Sequence, residues 1–381
     1  MIWVDRQDAF DAMMDRVAAQ PIVALDTEAD SLHSYFDKVC LIQLSIPDED
    51  FVVDPLSKLD LGRFGAMLAN PAITKVLHGG DYDVRILNRD FGFTIENLID
   101  TMISAQLLGY EAFGLAALLE RHFGVKVNKT HQRADWAMRP LTPEMLDYAA
   151  TDTRYLIALQ QKLREELTAL HRWAWAVEEF ARLSSIRYKD KEADEDAPEA
   201  WRRLKNIGGL DRRALGVIRE LHGWRDELAR AADRPPFKII GNDVLIEIAK
   251  TRPANMADLS KTKGLARFHL DRYGRELARR VRRVLELPEA ELPDKSEPKP
   301  WIRDKALEVR VEKLKKVRDK IAADLKIEPG VLAPRHVLTA IATIEPKDVR
   351  ELDQIPAMRD WQKAVLGTAL LAAIAPQTKL F

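Results

Sequence analysis

The sequence predicts a mixed α/β sheet flanked by helices over residues 1–170, followed by two small all-α domains. Three observations carry that expectation. Short apolar runs separated by turns come first along the chain, and helical patterns follow them. The two segments beyond residue 200 repeat one another at an offset of 93 residues without a gap. Charge is also divided: residues 1–170 hold 26 Asp+Glu against 16 Lys+Arg, whereas residues 201–286 hold 21 Lys+Arg against 11 Asp+Glu. At 381 residues the chain is long enough for two or three domains, each with its own core.

Taken in order, residues 7–19 read as a surface helix. Residues 22–28, 39–46 and 50–54 read as strands, parted by polar or turn-rich pieces. Residues 61–69 are helical in pattern, with Asn70-Pro71 as the stop. Residues 73–77 form a fourth strand that ends in His78-Gly79-Gly80, and a helix begins near Asp81. Further helices are expected over 101–108, 115–123 and from 143 to about 170. The last opens on Thr142-Pro143, with proline in the first turn.

Residues 184–200 are polar and acidic and read as a linker; residues 288–300 read as a Pro-rich, extended one. Between and after them lie the two repeats, 201–287 and 301–381. Arg225-Asp226 falls on Arg318-Asp319, Pro236 on Pro329, Pro253 on Pro346, Phe268 on Trp361 and Gly274 on Gly367. Matched proline and glycine positions set this apart from chance agreement among apolar residues. The first copy is basic. The second ends in residues 366–374, almost uncharged, and is expected to pack against something.

Chemistry concentrates at a few acidic positions. Asp26 and Glu28 share one face of a strand, about 7 Å apart along it. Such a pair is either the oxygen cage of a divalent cation or a strand end that surfaces into a polar loop. Asp83 sits in the first turn of a helix, where an acid also complements the helix dipole. Tyr148 and Asp152 are four residues apart on a helix, on one face; taken singly they read as core and solvated surface. The uneven charge suggests a metal site beside a polyanion grip, or two solvated surfaces of opposite sign.

The order of these motifs resembles the tyrosine-bearing branch of the DEDD superfamily of 3′–5′ exonucleases, which implies a ribonuclease H-like fold. The resemblance runs through Leu25-Asp26-Thr27-Glu28, Leu41-Ile42-Gln43-Leu44, His78-Gly79-Gly80-Asp81-Tyr82-Asp83 and Asp100-Thr101. It continues through residues 129–136 and Arg139-Pro140, and closes with Tyr148-Ala149-Ala150-Thr151-Asp152. The repeats resemble HRDC domains, and the whole layout is similar to that of the ribonuclease D family. The resemblance implies that Asp26, Glu28, Asp83 and Asp152 hold two divalent ions, Mg²⁺ or Mn²⁺, while Tyr148 orients the attacking water. It implies 3′–5′ exoribonuclease activity on precursor tRNA 3′ ends and other small structured RNAs, releasing 5′-mononucleotides. Gln43, His78 and Lys129 are candidates for contacts to the terminal nucleotide; Gln43 and His78 also read as structural residues. The basic first repeat is expected to grip the RNA body.

Two other readings stand beside this one: a DNA exonuclease of the same superfamily, and a nucleic-acid-binding protein with an inactive nuclease fold. The complete set of four carboxylates and the tyrosine argues against the second. Nothing has the Cys/His spacing of a zinc site, and Gly79-Gly80 is no P-loop. The single cysteine, Cys40, lies in an apolar run and is expected in the core. The first residues lack the pattern of a signal peptide, and the uncharged run 364–376 is too short to span a bilayer. A monomer in the cytoplasm, without a membrane partner, is expected.

Overall fold

The computed structural model describes residues 1–127, 130–188, 199–295 and 304–375. They fall into two units: Met1–Ala29 with Val39–Tyr188 and Ile302–Phe381, and Asp30–Lys38 with Lys189–Trp301.

The first unit is built on a six-stranded mixed sheet. Along the chain come β1 (Ile2–Val4), α1 (Gln7–Ala18), β2 (Ile22–Ala29), β3 (Val39–Ile46), β4 (Glu49–Val53) and α2 (Gly62–Leu68). Then follow β5 (Thr74–Leu77), α3 (Asp81–Phe91), β6 (Leu98–Asp100), α4 (Thr101–Leu108) and α5 (Leu115–Phe123). The strand order is β1-β4-β3-β2-β5-β6. β2, β3 and β4 form an antiparallel meander, and β5, β6 and β1 join it in parallel. The four strands expected from the apolar runs are present. β1 and β6, three residues each, are too short to show an alternation.

Alternation along β2 divides the molecule. Val23 and Leu25 enter the core under α1, α2 and α3, where α1 contributes Phe10, Met13, Met14 and Val17 at helical spacing. Ala24 faces the opposite core, with Val76 and Leu118, and Asp26 and Glu28 continue on that face. The helix expected over 143–170 is instead two, α6 (Pro143–Arg154) and α7 (Leu156–Ala169), interrupted at Tyr155. They serve different cores. α6 buries Met145, Ala149 and Ala150 against β3 and β4, whereas α7 buries Leu156, Leu159 and Leu163 with β2, β5 and α5. α8 (Trp173–Ser184) completes this part.

The second unit contains α9 (Arg212–Ala231), α10 (Pro236–Ile239), α11 (Asn242–Thr251), α12 (Met256–Leu259) and α13 (Arg267–Glu286). Its core includes Trp201, Ile218, Trp224, Leu245, Ile248 and Leu277. Asp30–Lys38 belongs with it. The Tyr35 hydroxyl donates to Asp226 at 3.0 Å, and the amides of Tyr35 and Phe36 donate to Asp233. Of the 288–300 segment, expected to be extended, Glu289–Glu291 forms an exposed 3₁₀ turn, and Leu292 is buried in the helical core. One apolar side chain in a polar, Pro-rich stretch is enough to dock it. The linker over 189–198 and residues 296–303 lie outside the described residues.

The second repeat supplies α14 (Lys305–Leu325), α15 (Pro329–Leu332), α16 (Arg335–Ile344) and α17 (Asp360–Ile374). α15 and α16 begin and end 93 residues after α10 and α11, as the sequence repeat requires. A buried arginine repeats too: Arg225 donates to the Ile240 carbonyl at 3.0 Å and Arg318 to the Ala333 carbonyl at 2.9 Å. The second repeat is packed on the sheet-containing part of its unit. Ile99, Leu107, Leu167, Ala176 and Phe180 share one core with Leu314, Leu338 and Trp361. Trp361 stacks on Trp175 at 4.9 Å, and its indole N–H donates to Glu179 at 3.0 Å. Glu178 accepts the amides of Asp360 and Trp361, capping α17 from outside. Arg172 donates to the carbonyls of Leu107 and Leu325 at 2.8 and 2.7 Å, joining the two parts. A Cβ on Gly109 would lie 1.7 Å from the Lys326 carbonyl oxygen, so only glycine admits this approach.

Candidate active site

Three elements build the site. β2 carries Asp26 and Glu28 on one face, as its period of two dictates. α6 carries Tyr148 and Asp152 one turn apart, and starts where the Thr142 hydroxyl accepts the Met145 amide at 3.3 Å. α6 is fastened to the sheet by Ser45 to Thr153 at 2.7 Å and Arg154 to Asp50 at 2.6 Å, while Ala149 and Ala150 allow close approach. α3 begins at Asp81, directly beyond β5, and carries Asp83 in its first turn.

The result is a cluster of like charges. Carboxylate oxygens of Asp26, Glu28 and Asp152 lie within 4.8 Å of one another. Asp83 stands outside that group of three; the Thr27 hydroxyl donates to its carboxylate. It still adds its charge to the repulsion felt by Asp26 and Glu28. Burial first, and then the neighbouring carboxylates, push Asp26 well above the carboxylate range and Glu28 up to about 9. Burial also pushes Asp152 up to about 7 and Asp83 to about 6. No lysine or arginine forms a salt bridge with any of the four among the described residues.

His78 does not supply the missing positive charge. Burial pushes its imidazole down to about 4, so the ring is neutral. Its Nδ1 lies 2.9 Å from the Thr101 hydroxyl, which donates to the Leu77 carbonyl. Half-buried and buried carboxylates without a cationic partner among the described residues, all offering hard oxygen, fit divalent ions such as Mg²⁺ or Mn²⁺. The donor set suits the expected group.

The linkage has a sign that can be checked. Unfolded carboxylates titrate near 4, so groups raised in the folded state bind protons that the unfolded chain has lost. That contribution is complete below about pH 4 and is lost as pH rises through about 6 to 9. Chelator-treated protein is therefore expected to show a Tm that falls between pH 6 and 9, and divalent ion to restore it most at the upper end. A flat or rising Tm in chelator, read by differential scanning fluorimetry, would contradict the cluster's electrostatics.

A cleft of about 580 Å³ opens on these residues, lined by Asp26, Glu28, His78, Met102, Tyr148 and Asp152 among others. Its size suits a mononucleotide. Tyr148 is held between Trp136, at 5.9 Å between ring centroids, and the edge of His131 at 6.1 Å. Burial, reinforced by Asp152, Glu28 and Asp26, raises its hydroxyl far above the ordinary tyrosine value.

Of the expected nucleotide contacts, His78 lines the cleft. Gln43 is fully buried and is not among the lining residues. Lys129 lies outside the described residues. Two residues were not expected to matter. Asp100, fully buried, accepts the amides of Gly80, Met102 and Ile103 at 2.8–2.9 Å, tying the turn before α3 to the start of α4. Arg139 grips Asp54 through two nitrogens at 2.7 and 2.6 Å and donates to the Cys40 and Trp136 carbonyls, fixing the chain ahead of α6. The signal for Asp100 was present: an aspartate at a strand end followed by a helix is a capping position.

A 3′–5′ exonuclease family model matches residues 1–168, and an HRDC domain model matches residues 214–281 and 308–374. A ribonuclease D of Acidiphilium cryptum is 33% identical over 297 residues, which is 77% of this chain and 74% of that protein. The chain belongs to the ribonuclease D family. Similarity extends over almost the full length to the ribonuclease D of Granulibacter bethesdensis, 30% identical over 97% of this chain and 91% of that one. Among solved structures, the ribonuclease D of Escherichia coli, described as an exoribonuclease involved in structured RNA processing, superposes with a TM-score of 0.66. It is 27% identical, and the match covers 98% of this chain and 99% of that one. The family is one of divalent-metal-dependent nucleases acting on nucleic acid, and this chain holds an acidic cluster whose donor set suits such an ion. No helix among the described residues is long and apolar enough to cross a membrane.

Proposed function

We propose that this chain, a 3′–5′ exoribonuclease by family, trims 3′ extensions of precursor tRNA and other small structured RNAs in the cytoplasm, releasing 5′-mononucleotides. The observation that carries the reading is the meeting of Asp26, Glu28 and Asp152 within 4.8 Å at a cleft of nucleotide size. These three, with Asp83, are the residues to hold two divalent ions, Mg²⁺ or Mn²⁺. Bound there, such ions would make a water nucleophilic at neutral pH and offset charge developing on the phosphodiester.

The chain's own groups do the rest. The four carboxylates, crowded and unpaired, are poised to bind cations and repel a bare phosphate. Tyr148 keeps its proton at neutral pH, so it orients the attacking water as a hydrogen-bonding group and does not serve as the base. Tyr148→Phe is expected to lower kcat by about 10²–10³-fold, the range for loss of one positioned hydrogen-bond donor, with Mn²⁺ affinity kept. A loss of Mn²⁺ binding in that variant would place the tyrosine among the ligands. His78 is a contact for the terminal nucleotide, and Lys129 a second.

The first repeat grips the RNA body. Several of its basic residues are already neutralised: Arg267 pairs with Asp271, Arg279 with Glu276, and Arg280 with Glu220. Lys263, Arg272 and Arg275 are exposed and form no ion pair among the described residues. Reversing Lys263 and Arg272 to Glu is expected to flatten the salt dependence of RNA binding by about two in log–log slope, with the mononucleotide chemistry retained. An unchanged slope would remove the grip.

The deciding experiment incubates purified protein with 3′-extended tRNA and a matched DNA strand, with Mg²⁺ or Mn²⁺ and a chelator control. Stepwise mononucleotide release from the RNA 3′ end is expected. Release from DNA alone, or none with either metal, would overturn the reading.

A further inference from the structure

Gln43 is the most conspicuous polar residue that the reading above leaves unused. It is 0% exposed, and neither its amide nitrogen nor its amide oxygen has a hydrogen-bond partner among the described residues. Leaving both ends of a buried amide unmet is costly, and native structures rarely tolerate it without a reason.

Its neighbours supply one. Gln43 on β3 stands directly opposite Asp26 on β2 in the antiparallel register. Residues opposed in this way share a face, with Cβ atoms about 5 Å apart. Ser45, two residues along the same face, bonds to Thr153 of α6, and Ala149 and Ala150 cover the region between. The amide is thus enclosed beneath α6 and takes no part in lining the cleft. Asp26 takes a hydrogen bond from the Thr27 amide, and no side chain donates to it among the described residues. A carboxylate that ligates through one oxygen needs its second oxygen held, and such outer partners set the ligand's orientation.

We propose that Gln43 is a positioning residue of the metal centre: its side-chain N–H holds the rear oxygen of Asp26 when a divalent ion draws on the front one. This rests on the metal-dependent function proposed above and deepens it. The unmet amide of Gln43 and the carboxylate of Asp26, opposed on one face of the sheet, are the two groups that would satisfy one another. Gln43 touches no substrate.

Gln43→Met keeps the volume and removes both polar atoms, while Gln43→Asn keeps the amide but withdraws its reach. Full-length variants are compared by calorimetric titration with Mn²⁺, by Tm in chelator, and by kcat and KM on 3′-extended RNA across Mn²⁺ concentrations. Mn²⁺ affinity is expected to fall about 10–100-fold in both variants. The Tm of Gln43→Met in chelator should be unchanged or higher, KM for RNA should hold, and high Mn²⁺ should recover kcat. Wild-type Mn²⁺ affinity in both variants overturns the proposal. So does a Met variant that loses Tm and affinity together while the Asn variant keeps its affinity, because the glutamine then serves packing alone. Wild type that binds Mn²⁺ but degrades no RNA would sink the functional reading, with the calorimetric comparison still deciding the role of Gln43.

Discussion

Asp152→Asn is expected to abolish measurable exonucleolysis, with kcat down by about 10³-fold or more, while the folded protein becomes more stable in chelator. The loss follows from replacing one of the three carboxylates that meet within 4.8 Å by a neutral amide, which removes its charge and half of its oxygen donors. Metal stabilisation of the reacting phosphate is worth several kcal/mol, and about 4 kcal/mol is a factor of about 10³. The gain in stability follows from the same cluster. Asp152 is half-buried, its carboxyl is pushed up to about 7, and its charge raises Glu28 and Asp26 as well. A neutral amide relieves that repulsion, and about 1 kcal/mol would lift Tm by roughly 2–4 °C in a unit of this size. Parallel measurement of nucleotide release and of Tm with and without Mn²⁺ checks both halves. A variant that is inactive because it is unfolded would show Asp152 to be structural.

The second large effect is expected far from the chemistry. Trp361→Ala should undock the second repeat from the sheet-containing part of its unit at a cost of about 3–5 kcal/mol. Trp361 is 5% exposed, stacks on Trp175 and donates to Glu179, whose carboxylate also holds Arg359. Its removal leaves a cavity and takes one of the two side-chain partners from Glu179, which keeps Arg359. The substitution should lower the midpoint of urea unfolding and open α8 and α14 to hydrogen exchange and proteolysis. An Asp26→Asn background separates this from catalysis. Unaltered exchange in α8 would mean that the two parts hold together without the tryptophan pair.

Much of the candidate site could be read from local periods. A strand period of two places Asp26 and Glu28 on one face, and a helical turn places Tyr148 above Asp152. Asp83 was legible as a helix-start acid. Gln43 shows where such reading stops. The sequence offers it as a nucleotide contact or a structural residue, and only the register of β2 with β3 sets it opposite Asp26. The structure buries it because α6, more than a hundred residues later, lies across that part of β3. Asp100 and Arg139 were quoted within motifs without a role, because their partners are distant backbone amides and Asp54. The break at Tyr155 was hidden for a similar reason: both halves are good helix, and only two differently placed cores part them.

The chain by itself determined the elements, the tandem repeat and the identity of the acidic residues, since each is written in short-range periodicity and in residue chemistry. Only the tertiary structure decided that carboxylates from β2 and α6 share one volume with no ion-pair partner among the described residues, that Gln43 is buried beneath α6, and that the second repeat docks through Trp361. Those outcomes depend on which surfaces bury one another across long stretches of sequence. Burial is a property of the closed chain, and no local pattern encodes it.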